Sequence, residues 1–319
     1  MTQSAFIFPG QGSQSVGMLS ELAAAAPEIQ QSFDRASEVL DRDCWALTMQ
    51  GPDEDLNRTE WTQPMMLVAD IAVWRVYCRL QAPRPAYLAG HSLGEYAALV
   101  AAEAMSFDDA LRIVRLRGQL MQQAVPEGAG AMAAILGLED QQVEQICRSI
   151  TDSDMTSNQV MPANYNSPGQ IVIAGHRTAV DTAIETCKEQ GARRAMRLPV
   201  SVPSHSALMA PAAEPLREAL EQIDFFSPTI PVLHNCDVQA RAEPDQIRSA
   251  LVQQLTQPVR WTETIQTLSA RGVQQFMECG PARILTGLGK RINRDAEWFA
   301  LDNPQTLNQL SSRPSGDQS

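Results

Sequence analysis

Ser92 lies at the centre of the segment Gly90-His91-Ser92-Leu93-Gly94, which has the spacing G-x-S-x-G. An apolar run precedes it and an alanine-rich run follows it, so a strand, a tight turn and a helix are expected in that order. In such a nucleophile elbow the turn presents the serine hydroxyl, and the N-terminal amides of the helix face an oxyanion. The pattern favours covalent catalysis by Ser92. The alternative is a small residue that fits an ordinary turn.

A serine nucleophile needs a base, and the sequence contains four histidines. His91 adjoins Ser92, and neighbouring side chains on a sharp turn point apart, so it is a poor base. His176, in AGHRTA, is expected at the start of a helix as an exposed or capping residue. His234, in PVLHN, is expected to be packed or hydrogen-bonded. His205 lies between a strand and a helix, where loops commonly present catalytic groups, and is modestly preferred.

Arg117 is the clearest indication of a charged substrate. In the predicted helix DDALRIVRLRGQLMQQA, Arg112 and Arg115 fall on the opposite face from Arg117. A buried guanidinium needs an anionic partner, which can be an internal carboxylate or the carboxylate of a substrate. The residues that share the face of Arg117 are apolar: Ala110, Ile113, Val114, Leu120, Met121 and Ala124.

Gln11 lies in a second glycine-rich turn, FPGQGSQSVGM. This turn lacks the third glycine of a dinucleotide-binding loop and the Gly-Lys-Ser/Thr ending of a P-loop. Two interpretations remain: a turn that brings Gln11 and backbone amides close to Ser92, or a plain strand-to-helix turn.

Composition limits the function classes. The chain has 319 residues and a formal net charge of −12, which disfavours general binding to nucleic acids. The N-terminus has no signal-peptide pattern, and no apolar run is long enough for a membrane helix. The six cysteines lack metal or redox spacing and are expected to be buried free thiols, so we expect a cytoplasmic protein. No coiled-coil heptads occur, and we expect a monomer.

Alternating strand and helix patterns predict an α/β fold with a mainly parallel sheet. Helices are expected over 17–40, 64–80 and about 107–124. Residues 129–202 show the order β-α-β-β-α-β, which indicates an inserted ferredoxin-like subdomain. We expect 1–128 and 203–308 to form the larger core and 309–319 to be a disordered tail.

Several motifs together resemble the malonyl-CoA:acyl carrier protein transacylase family, in the order of that family and through about residue 303. The resemblance implies that Ser92 is malonylated, that His205 is its base, and that Arg117 binds the free carboxylate of the malonyl group. It implies that Gln11 and the Leu93 amide form the oxyanion site. The motifs are FPGQGSQ, GHSLGEYAAL, LRGQLMQQAVPEG, GAMAAILGL, NYNSPGQIVIAGH, PVSVPSHSALM and CGPARILTGLGKRI.

The same resemblance implies that the Gln254 backbone carbonyl orients the histidine and that Asn164 lies near the active site. It implies an α/β-hydrolase-like core with a ferredoxin-like subdomain and a catalytic cleft between them. The substrates would be malonyl-CoA and acyl carrier protein, without a metal or other cofactor. Small Ser204, beside the histidine, leaves selectivity between malonyl and methylmalonyl groups open.

Acidic carriers require local positive charge on an acidic enzyme. Two clusters are candidates, and we expect the first of them, at the subdomain edge of the cleft, to contact CoA phosphates or the carrier; the alternative is ordinary solvated surface. The clusters are Arg193, Arg194 and Arg197, and Lys290, Arg291 and Arg294.

Three other functions compete with malonyl transfer in fatty acid synthesis. One is a serine thioesterase or other hydrolase, although no acid between Ser92 and His205 stands out as a third triad member. Another is a noncatalytic carrier-binding module, which the retained serine, histidine and arginine disfavour. The third is the same transfer in a polyketide pathway.

Overall fold

A computed structural model of the protein describes residues 3–153, 158–200 and 202–311. The strands of this part of the chain are β1 (Gln3–Phe8), β2 (Tyr87–Gly90), β3 (Gly130–Leu136), β4 (Val160–Ser167), β5 (Gln170–His176), β6 (Arg194–Arg197), β7 (Val232–Leu233), β8 (Val273–Glu278) and β9 (Glu297–Ala300).

Helices cover most of the remaining described residues, with one 3₁₀ turn at Ala207–Met209. The α-helices are α1 (Ser20–Ala25), α2 (Pro27–Leu40), α3 (Cys44–Gln50), α4 (Asp53–Leu56), α5 (Thr59–Arg79), α6 (Gly94–Ala101), α7 (Phe107–Gln123), α8 (Asp140–Ser153), α9 (Arg177–Glu189), α10 (Ala210–Glu221), α11 (Pro244–Gln253), α12 (Trp261–Ala270), α13 (Ile284–Ile292) and α14 (Pro304–Ser311). None of these is both long and apolar enough to cross a membrane.

The larger sheet is parallel and has the strand order β7-β2-β1-β8-β9. Phe8, at the end of β1, is in register with Gly90, at the end of β2, and the His91 amide donates to the Phe8 carbonyl at 2.9 Å. Ligands bind at the carboxyl ends of parallel strands because the loops gather there. The Gln11 turn and the Ser92 turn therefore leave the sheet side by side.

The second sheet is antiparallel, with the order β4-β5-β3-β6, and α8 and α9 pack on one of its faces. The chain order β3-α8-β4-β5-α9-β6 is the predicted β-α-β-β-α-β arrangement. The predicted apolar faces of both helices are buried: Val143, Ile146, Cys147 and Ile150 on α8, and Val180, Ala183, Ile184 and Cys187 on α9. The predicted fold class, a mainly parallel α/β core with a small second sheet, is confirmed.

Two local predictions of secondary structure need correction. The helix expected over 17–40 is two helices, because Pro27 has no amide hydrogen to continue the first one and is preorganised to begin the second. The tail expected from residue 309 overlaps α14, which packs Leu307 in the core and reaches Ser311. The rest of that prediction, 312–319, lies outside the described residues.

The six cysteines are free, as predicted, but two of them are not buried. Cys78 is exposed in the last turn of α5, which lies at the surface, and Cys236 is half-buried in a loop. Four of the six thiols are therefore shielded from solvent.

Asp70 is a fully buried carboxyl in α5, and neither of its oxygens has a hydrogen-bond partner among the described residues. Burial, and secondarily the charge of Glu278, raises the pKa of Asp70 well above its ordinary value. Glu278 itself accepts from the Leu285 and Thr286 amides at 2.9 and 2.7 Å. The folded protein therefore keeps a proton on Asp70 that the unfolded chain releases.

This proton makes a specific pH dependence of stability testable. Because the folded state binds more protons than the unfolded state above the ordinary pKa of aspartate, the free energy of unfolding falls as pH rises towards the folded-state pKa. Asp70→Asn removes the contribution, so the stability of the variant relative to wild type increases with pH, by up to about 1.4 kcal/mol per pH unit. Urea unfolding between about pH 5 and 8 measures this difference. Exposed Asp34→Asn is the control, and a difference independent of pH would contradict the assignment.

Candidate active site

Ser92 occupies a strained turn between β2 and α6, with φ of 52°. A non-glycine residue in this region costs about 1–2 kcal/mol, which the surrounding contacts must offset. A Cβ atom at Gly90 would lie 1.9 Å from the Gly94 carbonyl carbon, and one at Gly94 would lie 2.0 Å from the Phe8 carbonyl oxygen. Both glycines of the motif are therefore required by close packing of strand, turn and helix.

Asn235 holds this turn in place. Its side-chain oxygen accepts from the Ser92 amide at 2.7 Å, and its amide nitrogen donates to the Gly90 carbonyl at 2.6 Å. One buried side chain thus satisfies backbone groups on both sides of His91. Sequence reasoning missed Asn235, because nothing in HNCDV marks it as a partner of a turn more than 140 residues away.

Ser92 and His205 form a hydrogen-bonded pair, with 2.6 Å between Ser92 Oγ and His205 Nε2. The other ring nitrogen, Nδ1, lies 2.7 Å from the Gln254 backbone carbonyl oxygen. Because a carbonyl can only accept, Nδ1 carries the proton and Nε2 presents its lone pair to the serine hydroxyl. This arrangement can transfer the Ser92 proton to His205, with a backbone carbonyl where a hydrolase triad has an acid.

His205 is buried, and its environment disfavours the imidazolium ion. Burial, and secondarily the positive charge of Arg117, lowers the pKa of His205 to about 3. The ring is therefore neutral at neutral pH, which is the form that accepts a proton. Its backbone also has positive φ, at 59°, so the loop after residue 202 is held in an unusual conformation.

Arg117 is 2% exposed and projects from α7 as its helical position predicted. Its Nη1 donates to Gln63 Oε1 at 2.9 Å and its Nη2 to Gln254 Oε1 at 3.0 Å, while its Nε has no partner. Within the described ranges no carboxylate forms an ion pair with it. Burial lowers the pKa of this guanidinium. Of the two partners weighed from sequence, the internal carboxylate is not found among the described residues, and the substrate carboxylate stays a prediction.

Glu95 is the buried acid of this site, and sequence reasoning missed it. Its Oε1 accepts from His234 Nδ1 at 2.7 Å, and its Oε2 accepts from the Asn235 amide and from Gln254 Nε2, each at 2.9 Å. The sequence did contain a signal for it, because Glu95 is an acid within the apolar run that follows Ser92, where a charge needs hydrogen-bond partners. The expectation of a hydrogen-bonded His234 is confirmed.

The two predicted oxyanion groups differ in how the structure presents them. The Leu93 amide follows the strained serine at the start of α6 and donates to no acceptor in the described part of the chain. Gln11 is an exposed residue of the neighbouring turn, and a Cβ atom on the preceding Gly10 would lie 3.6 Å from the Leu93 nitrogen. The backbone next to Gln11 therefore approaches the Leu93 amide, and the oxyanion role of the two groups stays a prediction.

Asn164 is buried in β4, but the side chain that contacts the Ser92 turn belongs to Asn166. Asn166 Oδ1 lies 2.8 Å from His91 Nε2, and the His91 ring packs edge-on against Trp261. Burial lowers the pKa of His91. His91 is therefore engaged elsewhere, which agrees with its rejection as the base.

His176 is the N-cap residue that precedes α9, in line with the expected position at a helix start, and its Nδ1 accepts from the Gln159 amide at 2.9 Å. It plays no part in the Ser92 arrangement. Among the described residues no group of histidine, cysteine, aspartate or glutamate side chains has a metal-binding arrangement.

The two basic clusters lie at the same end of the antiparallel sheet, where β3 ends and β5 and β6 begin. Leu136 of β3 is in register with Arg194 of β6 on one side and with Gln170 of β5 on the other. Arg291, from α13, donates to Gln170 Oε1 at 2.6 Å. Arg197 forms an ion pair with Asp181. Arg193, Arg194, Lys290, Arg291 and Arg294 are exposed.

Comparison with known proteins places this geometry in a family. Residues 5–298 match the family described as Acyl transferase domain. The malonyl CoA-acyl carrier protein transacylase of Salmonella typhimurium is 51% identical over 307 residues, which span 96% of this chain and 98% of the relative. The chain belongs to the malonyl CoA-acyl carrier protein transacylase family. The resemblance recognised from the sequence motifs is confirmed.

Solved structures of the family have the same fold. The transacylase of Coxiella burnetii superposes with a TM-score of 0.95 at 47% identity, over 98% of both chains. The second structure is a malonyl-transacylase in complex with its type II PKS acyl-carrier protein. The transacylase superposes with a TM-score of 0.94 at 49% identity, over 97% of this chain and 99% of that one. The likeness extends over both sheets.

The charge of Arg117 predicts a measurable effect on His205. Arg117→Met removes a named cause of the lowered pKa, so the His205 ring should titrate at higher pH in this variant than in wild type. NMR titration of the ring resonances measures the change. Arg148→Met, at an exposed position of α8, is the control. An unchanged or lower His205 pKa in Arg117→Met would show that the charge of Arg117 does not act on the ring.

Proposed function

We propose that the chain transfers the malonyl group of malonyl-CoA to the phosphopantetheine thiol of acyl carrier protein, through a malonyl ester on Ser92. The observation that carries this proposal is the Ser92–His205 pair beside a buried Arg117 that lacks a carboxylate partner among the described residues. Membership of the transacylase family supports it independently.

In the first half-reaction His205 Nε2 takes the proton of Ser92 as Oγ attacks the thioester carbonyl. The developing oxyanion is stabilised by the Leu93 amide and Gln11, and each such donor contributes about 10²–10³ in rate. As the tetrahedral intermediate collapses, the carbon–sulfur bond breaks and His205 returns the proton to the CoA thiolate. The products are free CoA and malonyl-Ser92.

The second half-reaction reverses these steps with a different thiol. His205 removes the proton of the phosphopantetheine thiol, whose sulfur attacks the ester carbonyl. The bond from carbon to Ser92 Oγ then breaks, and the serine regains its proton from His205. A thioester is exchanged for a thioester, so the protein's own residues suffice for this ping-pong chemistry.

Arg117 selects the acyl group. Its buried guanidinium, with Nε unpartnered, can pair bidentately with the free carboxylate of a malonyl group. Acyl groups without a carboxylate leave this buried charge without an anion, which costs several kcal/mol. Selectivity for a carboxylated acyl group follows from that difference.

We also propose the arrangement in which this chemistry occurs. Residues 1–128 and 203–308 form the core and 129–202 the small subdomain, with the cleft between them lined by Ser92, His205 and Arg117. The protein works as a cytoplasmic monomer that does not bind nucleic acid, consistent with its net charge of −12 and its free cysteines.

Intact-mass analysis tests the covalent intermediate. With malonyl-CoA and no carrier, wild type should gain a malonyl adduct on the Ser92 peptide, and acyl carrier protein should discharge it. Ser92→Ala should form no adduct because it lacks the nucleophile. Steady release of free malonate without a carrier would instead make the protein a hydrolase. Absence of both adduct and turnover would leave a noncatalytic carrier-binding protein.

We propose that the carrier docks on the basic surface formed by Arg193, Arg194, Lys290 and Arg291. Gln170, which Arg291 contacts, lies four residues along β4–β5 from Asn166, the contact of His91 beside Ser92. Because β4 and β5 form a hairpin in which Ser167 pairs with Gln170, Gln170 lies across the hairpin from the residue next to Asn166. A carrier held at this surface therefore presents its phosphopantetheine arm towards Ser92.

Charge reversal tests this docking surface. Arg194→Glu with Arg291→Glu should raise the KM for acyl carrier protein roughly three- to tenfold, since each exposed charge contact contributes about 0.2–1 kcal/mol. The formation of malonyl-Ser92 should remain unchanged. The control is Arg148→Glu with Lys188→Glu, which changes the net charge equally at exposed positions. Equal KM values in the two double variants would refute the docking site.

One structural relative supports a second biological setting for the same reaction. That relative is a malonyl-transacylase bound to a type II PKS acyl-carrier protein. Kinetic comparison of a fatty acid carrier with a polyketide carrier, both at the same ionic strength, decides between the settings.

A further inference from the structure

The side chain of Gln254 links the carboxylate-binding residue to the nucleophile. Gln254 ends α11, is 1% exposed and has all of its polar side-chain atoms hydrogen-bonded. Its Oε1 accepts from Arg117 Nη2 at 3.0 Å, and its Nε2 donates to the Ser92 carbonyl at 3.0 Å and to Glu95 Oε2 at 2.9 Å. This link is separate from the Gln254 backbone carbonyl that His205 contacts.

Glu95 determines which way the amide of Gln254 faces. Both partners on one side, the Glu95 carboxylate and the Ser92 carbonyl, can only accept a hydrogen bond, whereas the Arg117 guanidinium can only donate. A flipped amide would oppose oxygen to carboxylate and NH₂ to guanidinium, and three hydrogen bonds would be lost. The surroundings therefore permit one orientation.

The amide also lies between opposite charges. Arg117 has no ion pair within the described ranges, and the charge of Glu95 acts on it across Gln254. Opposite charges at the two ends polarise the amide and strengthen the hydrogen bonds on both sides. Arg117 is therefore held at a defined distance from the Ser92 turn, although Arg117 is part of α7 and Ser92 precedes α6.

We propose that the side-chain amide of Gln254, oriented by Glu95, is a positioning residue that sets the location of Arg117 relative to Ser92 and so favours acyl groups carrying a free carboxylate. The inference rests on the proposed malonyl transfer. A carboxylate bound to Arg117 anchors one end of the acyl group, and the amide places the thioester carbonyl at its other end against Ser92 Oγ. A misplacement of about 1 Å in such an arrangement can cost about 10²-fold in rate.

The variant Gln254→Met removes the amide while keeping side-chain length and the backbone carbonyl used by His205. Single-turnover formation of acyl-Ser92 is measured by intact mass with malonyl-CoA and, separately, with acetyl-CoA. The expected result is a loss of about 10–100-fold in the maximal rate with malonyl-CoA and a change below about threefold with acetyl-CoA, which has no carboxylate for Arg117.

Gln63→Met is the matched control. Gln63 Oε1 also accepts from Arg117, at 2.9 Å, but among the described residues the other side-chain contact of Gln63 is Met121 rather than the Ser92 turn. Its loss should raise the malonyl-CoA concentration needed for half-maximal acylation and change the maximal rate by less than about threefold, because it leaves the link from Arg117 to Ser92 intact.

Each outcome decides the inference. Equal losses with malonyl-CoA and acetyl-CoA would overturn it, since the amide would then support only the turn or the fold, and so would an unchanged malonyl rate. If Gln254→Met does not fold, Gln254→Leu replaces it, because that change also removes the amide while keeping the backbone carbonyl used by His205 and should give the same malonyl-specific loss. Wild-type protein that forms no malonyl adduct would contradict the proposed function instead.

Discussion

The buried carboxylate of Glu95 is the interaction on which the active site depends. A charge in the interior is tolerated only when hydrogen bonds compensate its loss of water, and here three donors do so. They come from His234, Asn235 and Gln254, which lie on two separate loops. Removing one partner of such a buried charge typically costs about 3–5 kcal/mol. Glu95 thus ties the first turn of α6 to segments about 140 and 160 residues further along the chain.

The charges of Glu95 and Arg117 together set the electrostatic environment of Ser92 and His205. Arg117 and Glu95 carry opposite charges on either side of the Gln254 amide, and the arginine retains an unpartnered Nε. Burial, and secondarily the positive charge of Arg117, lowers the pKa of His205, which keeps the ring neutral.

The two sheets contribute differently to this arrangement. The parallel sheet ends in the turns that carry Gln11 and Ser92, and their close approach leaves no room for side chains at Gly10 and Gly94. The antiparallel sheet supplies Asn166 beside His91 and, at one end, the contact between Gln170 and Arg291. The turn that carries Ser92 and the basic residue Arg291 therefore contact the same short hairpin between β4 and β5.

Local patterns in the sequence determined the features that depend on backbone geometry. The G-x-S-x-G spacing identified the turn, helical periodicity identified the buried face of α7, and the order of strand and helix patterns identified the second sheet. Tertiary structure alone decided which distant side chains meet: Asn235 and Glu95 at Ser92, Gln63 and Gln254 at Arg117, and Asn166 at His91. It also brought two basic clusters about 100 residues apart in sequence to the same end of the antiparallel sheet. Periodicity reports on which face of an element is apolar, but a hydrogen bond between segments 50 to 160 residues apart depends on how those elements pack, which no local pattern encodes.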